Sequence, residues 1–437
     1  MRRCDLRSLE IFTSEAWKAG RHFHENGNRV RSFWSAGSFS LRLLFSPPVK
    51  TFSCTCGNPL YFENSFCLKC RCEVGFDPAA LEMSPLVEAS PLKRCANGAA
   101  HLMACNWLVP KNGSAAYCVS CSLSHLIPNL SSANIVQLWI KMEAAKRRAL
   151  FSFLSLGVPL QPLFDPNAKG AVNDKGEVVP LALSYRLLQP LPNSPVITGH
   201  DAGTITLNLE EADDALRERN RMNLKEPYRT LLGHFRHEIG HYYWSMWFEN
   251  DPKRDEVLGA FRELFGDERL DYSAAMNVYY SNGPQADWQE RCISAYSTMH
   301  PWEDWAETWA HYLHMIDALE SFESLGLRRS AAMPKETIER IAPLPSPFQM
   351  VPVAEFTKKL QTWLELTPAI NELSSSLGHN MSYPFVVSPP VIRKLFFIHC
   401  MVKRQVDAAK NWESSRSAPG KPKNVVQRIK GLVLNRQ

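Results

Sequence analysis

The chain has no run of about 18 uninterrupted apolar residues, the length a membrane-spanning helix needs. The best candidate, residues 149–164, is broken by Ser152, Ser155, Gly157, Pro159 and Pro162. Nor does an apolar segment follow the arginines of MRRCDLRSLEIFTSEAW, so a secretory signal peptide is not expected. Charge of one sign is scarce too. Lys and Arg number 49 against 44 Asp and Glu, and the net charge of +5 is too small to argue for nucleic acid by itself. No internal repeat is visible. What is present is ordinary globular material: 45% apolar and 21% charged residues over 437 positions. That composition excludes wholesale disorder and supports a real core, divided over roughly two to three domains.

Residues 1–50 are rich in Arg and Ser but carry Asp5, Glu10, Glu15 and Glu25. A transit peptide is usually poor in acids, so a disordered basic extension is the preferred reading and a targeting segment the alternative. The end of the chain, residues 401–437, reads as a second basic, disordered tail.

Cysteine is the first informative residue. Nine of the 12 cysteines lie between Cys54 and Cys121. Without a signal peptide, this clustering points to a reducing compartment, the cytoplasm, and to metal-bound thiolates rather than disulfides. One group is Cys54, Cys56, Cys67 and Cys70; the other is Cys95, Cys105, Cys118 and Cys121. A Cys-x2-Cys knuckle turns both sulfurs towards one ion, and two pairs make a closed tetrahedral site. Two structural zinc sites are therefore expected within residues 51–130, holding together a segment with little apolar surface of its own. Cys72 is a spare thiol beside Cys70. Cys4, Cys292 and Cys400 read as ordinary packed cysteines. The segment has no dense basic-aromatic stripe, so a protein or nucleic-acid contact through it is left open.

Periodicity organises the remainder. Residues 134–156 read as a helix stopped by Gly157, and 195–209 as two strands around an Asp-Ala-Gly turn. Residues 210–222 read as an exposed charged helix, and 227–248 as a long buried helix with Pro227 in its first turn. A further helix is expected over 301–319.

The sharpest signal is His237-Glu238-Ile239-Gly240-His241. On a helix, residues i and i+4 share a face, so both imidazoles can reach one zinc. Glu238 then stands beside the metal, placed to take the proton from a zinc-bound water. A catalytic zinc needs a third protein ligand and an open position. Glu303 and Glu307, one turn apart among Trp302, Trp305 and Trp309, supply two carboxylates. Glu303 is preferred as ligand, with Glu307 accepting a hydrogen bond from a ligand histidine; the roles could be exchanged. The longer metzincin pattern is excluded by Trp244 and Trp247. Tyr296 and His300 are candidates to donate to the oxyanion. His234 reads as a supporting or core histidine, His200 and Asp201 as turn residues, and Asp267 and Glu268 as solvated charges.

Several stretches carry a resemblance: CGNPLYFEN, FCLKC, CNWLVP, YCVSCSLSHLIPNLS, residues 198–244, FGDERLDY, and SAYSTMHPWEDWAETWAHYLH. Over residues 54–320 the chain resembles the zinc-binding metallopeptidases that carry an N-terminal zinc ribbon. The resemblance implies an α+β protein: a zinc-ribbon module, then a mainly helical zincin-like metallopeptidase domain with a small β-sheet over 131–400. It implies His237 and His241 as ligands, Glu238 as general base and Glu303 as third ligand. Some peptidases of that type place a Tyr seven residues before this Glu, as Tyr296 is placed. Residues 1–50 lie outside the resemblance, and Cys72 stands where the family more often has Gly. The expected activity is hydrolysis of peptide bonds in a peptide or protein substrate, with one catalytic and two structural zinc ions. The strand near 204–209 is a candidate edge for substrate docking. The competing reading is a non-catalytic zinc-ribbon scaffold or binding protein with a structural third metal.

Overall fold

The computed structural model describes residues 51–417, apart from 102, 161–170, 173–177, 180–181, 225, 250–253 and 328–352. The extension expected over 1–50, Cys4 and residues 418–437 lie outside the described residues.

The cysteine-rich part is built from three short antiparallel hairpins. They are β1 (Phe52–Ser53) with β2 (Pro59–Leu60), β3 (Val74–Asp77) with β4 (Glu82–Pro85), and β5 (Leu92–Arg94) with β6 (Leu108–Pro110). Helix α1 (Ala96–Ala100) lies between β5 and β6. A single-turn helix α2 (Val119–Ser122) and strand β7 (Ser124–Leu126) follow. So short a set of strands cannot enclose a core alone. It borrows one from the long helix α3 (Ala133–Leu156), whose Phe151 ring packs 4.8 Å from Phe62 and 5.4 Å from Phe76. Two residues on, Phe153 stacks on Trp309 at 6.0 Å and packs on Tyr243 at 5.3 Å. Helix α3 thus joins the cysteine-rich part and the helical part in one continuous core. It ends where expected, with Gly157 in the left-handed conformation at φ 72°.

Beyond α3 come the two-residue strands β8 (Ala171–Val172) and β9 (Val178–Val179), then β10 (Ser184–Leu188), β11 (Gly199–Asp201) and β12 (Thr204–Asn208). A four-stranded sheet has the order β11-β12-β10-β7. Strands β12 and β7 flank β10 in parallel, while β11 runs antiparallel to β12. Alternation buries Tyr185, Leu187, Ile205 and Leu207 on one face and leaves Arg186, Thr204 and Thr206 on the other. The hairpin between β11 and β12 turns at Ala202 and Gly203, both at positive φ. A Cβ on Gly203 would sit 2.7 Å from the Ala182 carbonyl oxygen, so the turn accepts only glycine. This order corrects the expected docking edge. Both sides of β12 are already paired, and among the described residues the outer strands are β11, beside β12, and β7.

The helices are α4 (Asp214–Asn223), α5 (Leu231–Trp244), α6 (Arg254–Phe265), α7 (Tyr272–Asn282), α8 (Trp288–Arg291), α9 (Pro301–Ser324), α10 (Val353–Ser376) and α11 (Pro389–Ser417). Helix α5 starts later than expected. Thr230 Oγ1 accepts the amide of Gly233 at 3.0 Å and caps it, leaving Pro227 outside the first turn. It ends earlier too, giving way to a wider π-turn over Ser245–Glu249. The boundary expected at residue 400 falls inside α11, where Met401, Val402 and Val406 are buried. Their apolar spacing continues the helix past the point where basic residues begin. Among the described residues, no helix is long and apolar enough to cross a membrane.

Candidate metal centres and catalytic site

Among the described residues, three groups of donor side chains converge so that their atoms lie within 4.8 Å of one another. Two are the cysteine sets. Cys54 and Cys70 place their sulfurs 3.6 Å apart, Cys56 and Cys67 3.7 Å, and Cys105 and Cys118 3.6 Å. A tetrahedral zinc with bonds of about 2.3 Å separates its sulfurs by about 3.8 Å, so this spacing suits one ion per set. Backbone amides point at the sulfurs: Cys118 N donates to Cys95 Sγ at 3.3 Å and Trp107 N to Cys105 Sγ at 3.4 Å. Such donors favour thiolate over thiol. The sets differ in exposure. Cys95, Cys105, Cys118 and Cys121 are all buried, whereas Cys70 is exposed and Cys56 half-buried. Cys72 stands outside its neighbour set, with its thiol towards the Glu73 carbonyl at 3.3 Å. Cys292 and Cys400 are buried outside both sets, and Lys394 Nζ lies 3.9 Å from Cys292 Sγ.

The third group is His237, His241 and Glu303. Helix α5 presents the two imidazoles and α9 the carboxylate. The Nε2 atoms of His237 and His241 are 3.3 Å apart. Glu303 places Oε2 3.0 Å from His237 Nε2 and Oε1 3.5 Å from His241 Nε2. A tetrahedral zinc bound to nitrogen at about 2.05 Å would set its ligands about 3.3 Å apart. The donors therefore fit the ion. An orphaned atom agrees: Glu238 Oε2 is buried without a hydrogen-bond partner.

The surroundings orient each donor. His237 Nδ1 donates to Glu307 Oε1 at 2.7 Å, so Nε2, which faces Glu303 and His241, is the nitrogen that would bind a metal. Burial opposes ionisation of Glu303 and Glu307. The His241 and His237 imidazoles overcome it at Glu303, as His237 does at Glu307, and both carboxyls stay below the usual range. Buried negative charge thus collects around two imidazoles, a setting that attracts a divalent cation. Tyr272, which no sequence motif singles out, donates its hydroxyl to Glu303 Oε1 at 2.9 Å. Only its position in FGDERLDY hinted at a role.

The other candidates separate cleanly. Tyr296 is half-buried, with its ring 6.1 Å from that of His237 and 5.7 Å from that of Tyr279. His300 is buried and spends both nitrogens on backbone. Its Nδ1 accepts Trp302 N at 3.1 Å as the N-cap of α9, and its Nε2 donates to the Leu270 carbonyl at 3.1 Å. It has no donor left for an oxyanion. His200 accepts the Gly203 amide at 2.9 Å across its turn, and its ring stacks 6.3 Å from His241. Burial, with His241 beside it, pushes His200 down to about 3, so it stays neutral and can accept. Asp267 pairs with Arg269 at 2.8 Å, and the buried Glu268 with Arg262 at 2.5 Å. Glu268 is therefore a paired interior acid, not the solvated charge expected. His234 stands between Glu238 and Glu211, a buried acid in the segment expected to be an exposed charged helix.

A cysteine-rich module with tetrahedral sulfur sets, leading into a helical domain with a His-His-Glu centre, defines the class: a zinc ribbon joined to a metal-site domain. The comparisons narrow it. The chain belongs to the family described as "Putative zinc-binding metallo-peptidase", which matches residues 135–401. Residues 51–132 match a zinc-ribbon domain. Three mycobacterial relatives, one from Mycobacterium bovis and two from strains of Mycobacterium tuberculosis, are each 39% identical over 355 residues. The alignments cover 81% of this chain and 95% of each relative, and all three are named as uncharacterized proteins. No solved structure matches the chain.

Proposed function

We propose that the protein is a zinc-dependent peptidase of the zincin type, working in the cytoplasm, with one catalytic and two structural ions. The observation that carries this reading is the convergence of His237 Nε2, His241 Nε2 and Glu303 beside the unpartnered Glu238 Oε2. Held by those three residues, a zinc ion supplies a Lewis acid for the scissile carbonyl and lowers the pKa of a water towards neutrality.

The chain's own groups do the rest. Glu238 takes the proton of the attacking water and passes it to the leaving amine. Glu307 fixes the tautomer of His237, and Tyr272 fixes the carboxylate of Glu303. Tyr296, beside His237, donates to the oxygen of the attacked carbonyl. The free edge of β11 offers backbone groups to an extended peptide, and His200 of that strand already stacks near His241. Peptide and protein chains are accordingly the substrate class.

The test has two parts. Elemental analysis should find three zincs per chain. Glu238→Gln should keep all three and lose cleavage of fluorescein-labelled casein by at least about 100-fold. A fully active Glu238→Gln variant would overturn the mechanism. Three zincs with no cleavage by the unmutated protein would favour the non-catalytic scaffold.

A further inference from the structure

Glu238 is buried and its carboxylate is not symmetric. Oε2 has no partner, while Oε1 lies 3.3 Å from His234 Nε2, one helical turn back on α5. The other nitrogen of that ring, Nδ1, meets Glu211 Oε2. Glu211 is itself buried and held: Thr198 Oγ1 donates to its Oε1 at 2.6 Å, Arg229 lies 4.0 Å from its Oε2, and Arg217 donates to its backbone carbonyl at 2.8 Å. Thr198 immediately precedes β11 and also accepts the Asn208 amide at 3.1 Å. Side chains from three separate segments thus form one line, Thr198–Glu211–His234–Glu238.

A glutamate on a helix has three rotatable bonds, and a general base works only when its oxygen stands at the proton it takes. We infer that His234, anchored by Glu211, is a positioning residue that pins Glu238 by Oε1 and leaves Oε2 for the water. The inference rests on the proposed role of Glu238. The geometry accounts for three facts together: a histidine one turn before the base, a buried glutamate opposite it, and a single orphaned carboxylate oxygen. The surrounding acids support the arrangement. Each ring nitrogen faces a carboxylate oxygen, Nδ1 that of Glu211 and Nε2 that of Glu238, so both are placed to donate. The line also ties the base to the hairpin whose outer strand is the candidate docking edge.

Three variants and one spectroscopic comparison test this. His234→Phe removes both donors, Glu211→Gln removes the anchoring charge, and His234→Gln keeps one donor nitrogen on the same helix position. In the zinc-loaded full chain, the first two should keep three zincs. They should lower kcat on fluorescein-labelled casein about 10- to 100-fold, with KM within about twofold. His234→Gln should recover most of that loss. A His234→Phe variant that holds its zinc and keeps kcat within about twofold of the unmutated protein would overturn the inference.

The comparison that does not depend on turnover uses side-chain NMR of 15N-histidine-labelled protein. The His234 Nε2 proton should exchange slowly with water in the unmutated chain. It should exchange faster in Glu238→Ala, with the Nδ1 proton unchanged and zinc content constant. Equal exchange of Nε2–H in the two proteins would overturn the positioning role. That reading holds whether or not casein is cleaved, and it decides the matter where a substitution at 234 or 211 costs the fold. Absence of cleavage by the unmutated chain, with the Nε2 result as expected, would instead count against the peptidase reading alone.

Discussion

The indole of Trp305 donates to the backbone carbonyl of Gly240 at 2.8 Å. The bond joins α9 to α5 inside the His-Glu-Ile-Gly-His run, between the two histidines. It explains the glycine at that place. A Cβ on Gly240 would stand 3.0 Å from Trp309 Cδ1 and 3.1 Å from Ala306 Cα. Helices pack this closely only where one of them lacks a side chain, and the close approach carries Glu303 to the imidazoles.

Gly240→Ala should therefore destabilise the protein despite the better helix propensity of alanine. Propensity favours the variant by about 1 kcal/mol. Crowding against a buried indole and a backbone carbon costs about 1–3 kcal/mol. A net loss of roughly 1 kcal/mol is expected, read as a lower midpoint in urea. Weaker zinc retention at the histidine site should accompany it. A raised midpoint would show that α5 and α9 admit the methyl without crowding.

Glu307→Gln and Tyr272→Phe should each weaken zinc at the histidine site by about 10- to 100-fold, because they release His237 and Glu303 from their fixed orientations. The measurement is competition with a fluorescent chelator. The two cysteine sites should be untouched, since neither residue belongs to them. Equal affinity in Tyr272→Phe would reduce its hydrogen bond to Glu303 to a packing detail.

Zinc should leave the three sites at different rates. The set with exposed Cys70 should yield first to a thiol-reactive mercurial, and the buried set of Cys95, Cys105, Cys118 and Cys121 last. Chelation at the histidine site should leave far-UV circular dichroism unchanged, since an aromatic core holds α5 against α9 without the ion. Loss of the buried cysteine site should coincide with unfolding. Simultaneous release from both cysteine sets would contradict this order.

Asp304 and Lys394 form a buried ion pair at 2.5 Å between α9 and α11, and Lys394 also donates to the Arg291 carbonyl at 2.8 Å. Lys394→Met leaves a buried carboxylate without its partner and should cost about 3–5 kcal/mol. Adding Asp304→Asn should restore a large part of it. A double-mutant cycle in urea gives the coupling directly, and additive losses would mean the pair is independent.

Local patterns were legible in the chain. Helix α3, its glycine stop, the hairpin over 199–208 and the helices expected over 227–248 and 301–319 follow from periodicity and from glycine at the turns. Sheet order was not. Strands β7, β10 and β12 come from distant segments, and their parallel pairing is set by burial of Tyr185, Leu187 and Ile205 rather than by any local turn. The start of α5 was misplaced for a smaller reason. Pro227 suits a first helical turn, but the Thr230 side chain competes for the free amides and captures them three residues later.

The candidate site divides in the same way. Residues four apart on one helix necessarily share a face, so sequence alone made two pairs of neighbours, His237 with His241 and Glu303 with Glu307. It also grouped the cysteines, because knuckle spacing is local. Which carboxylate meets Nε2 and which meets Nδ1 of His237 depends on how α9 rotates and slides against α5. That was decided by Gly240, Trp305 and Trp309 in the packed interface. Tyr272, Glu211 and the orientation of His234 were likewise decided only in three dimensions. Their partners lie far along the chain or on another element, and no spacing rule reaches across a turn, a sheet edge and a helix at once.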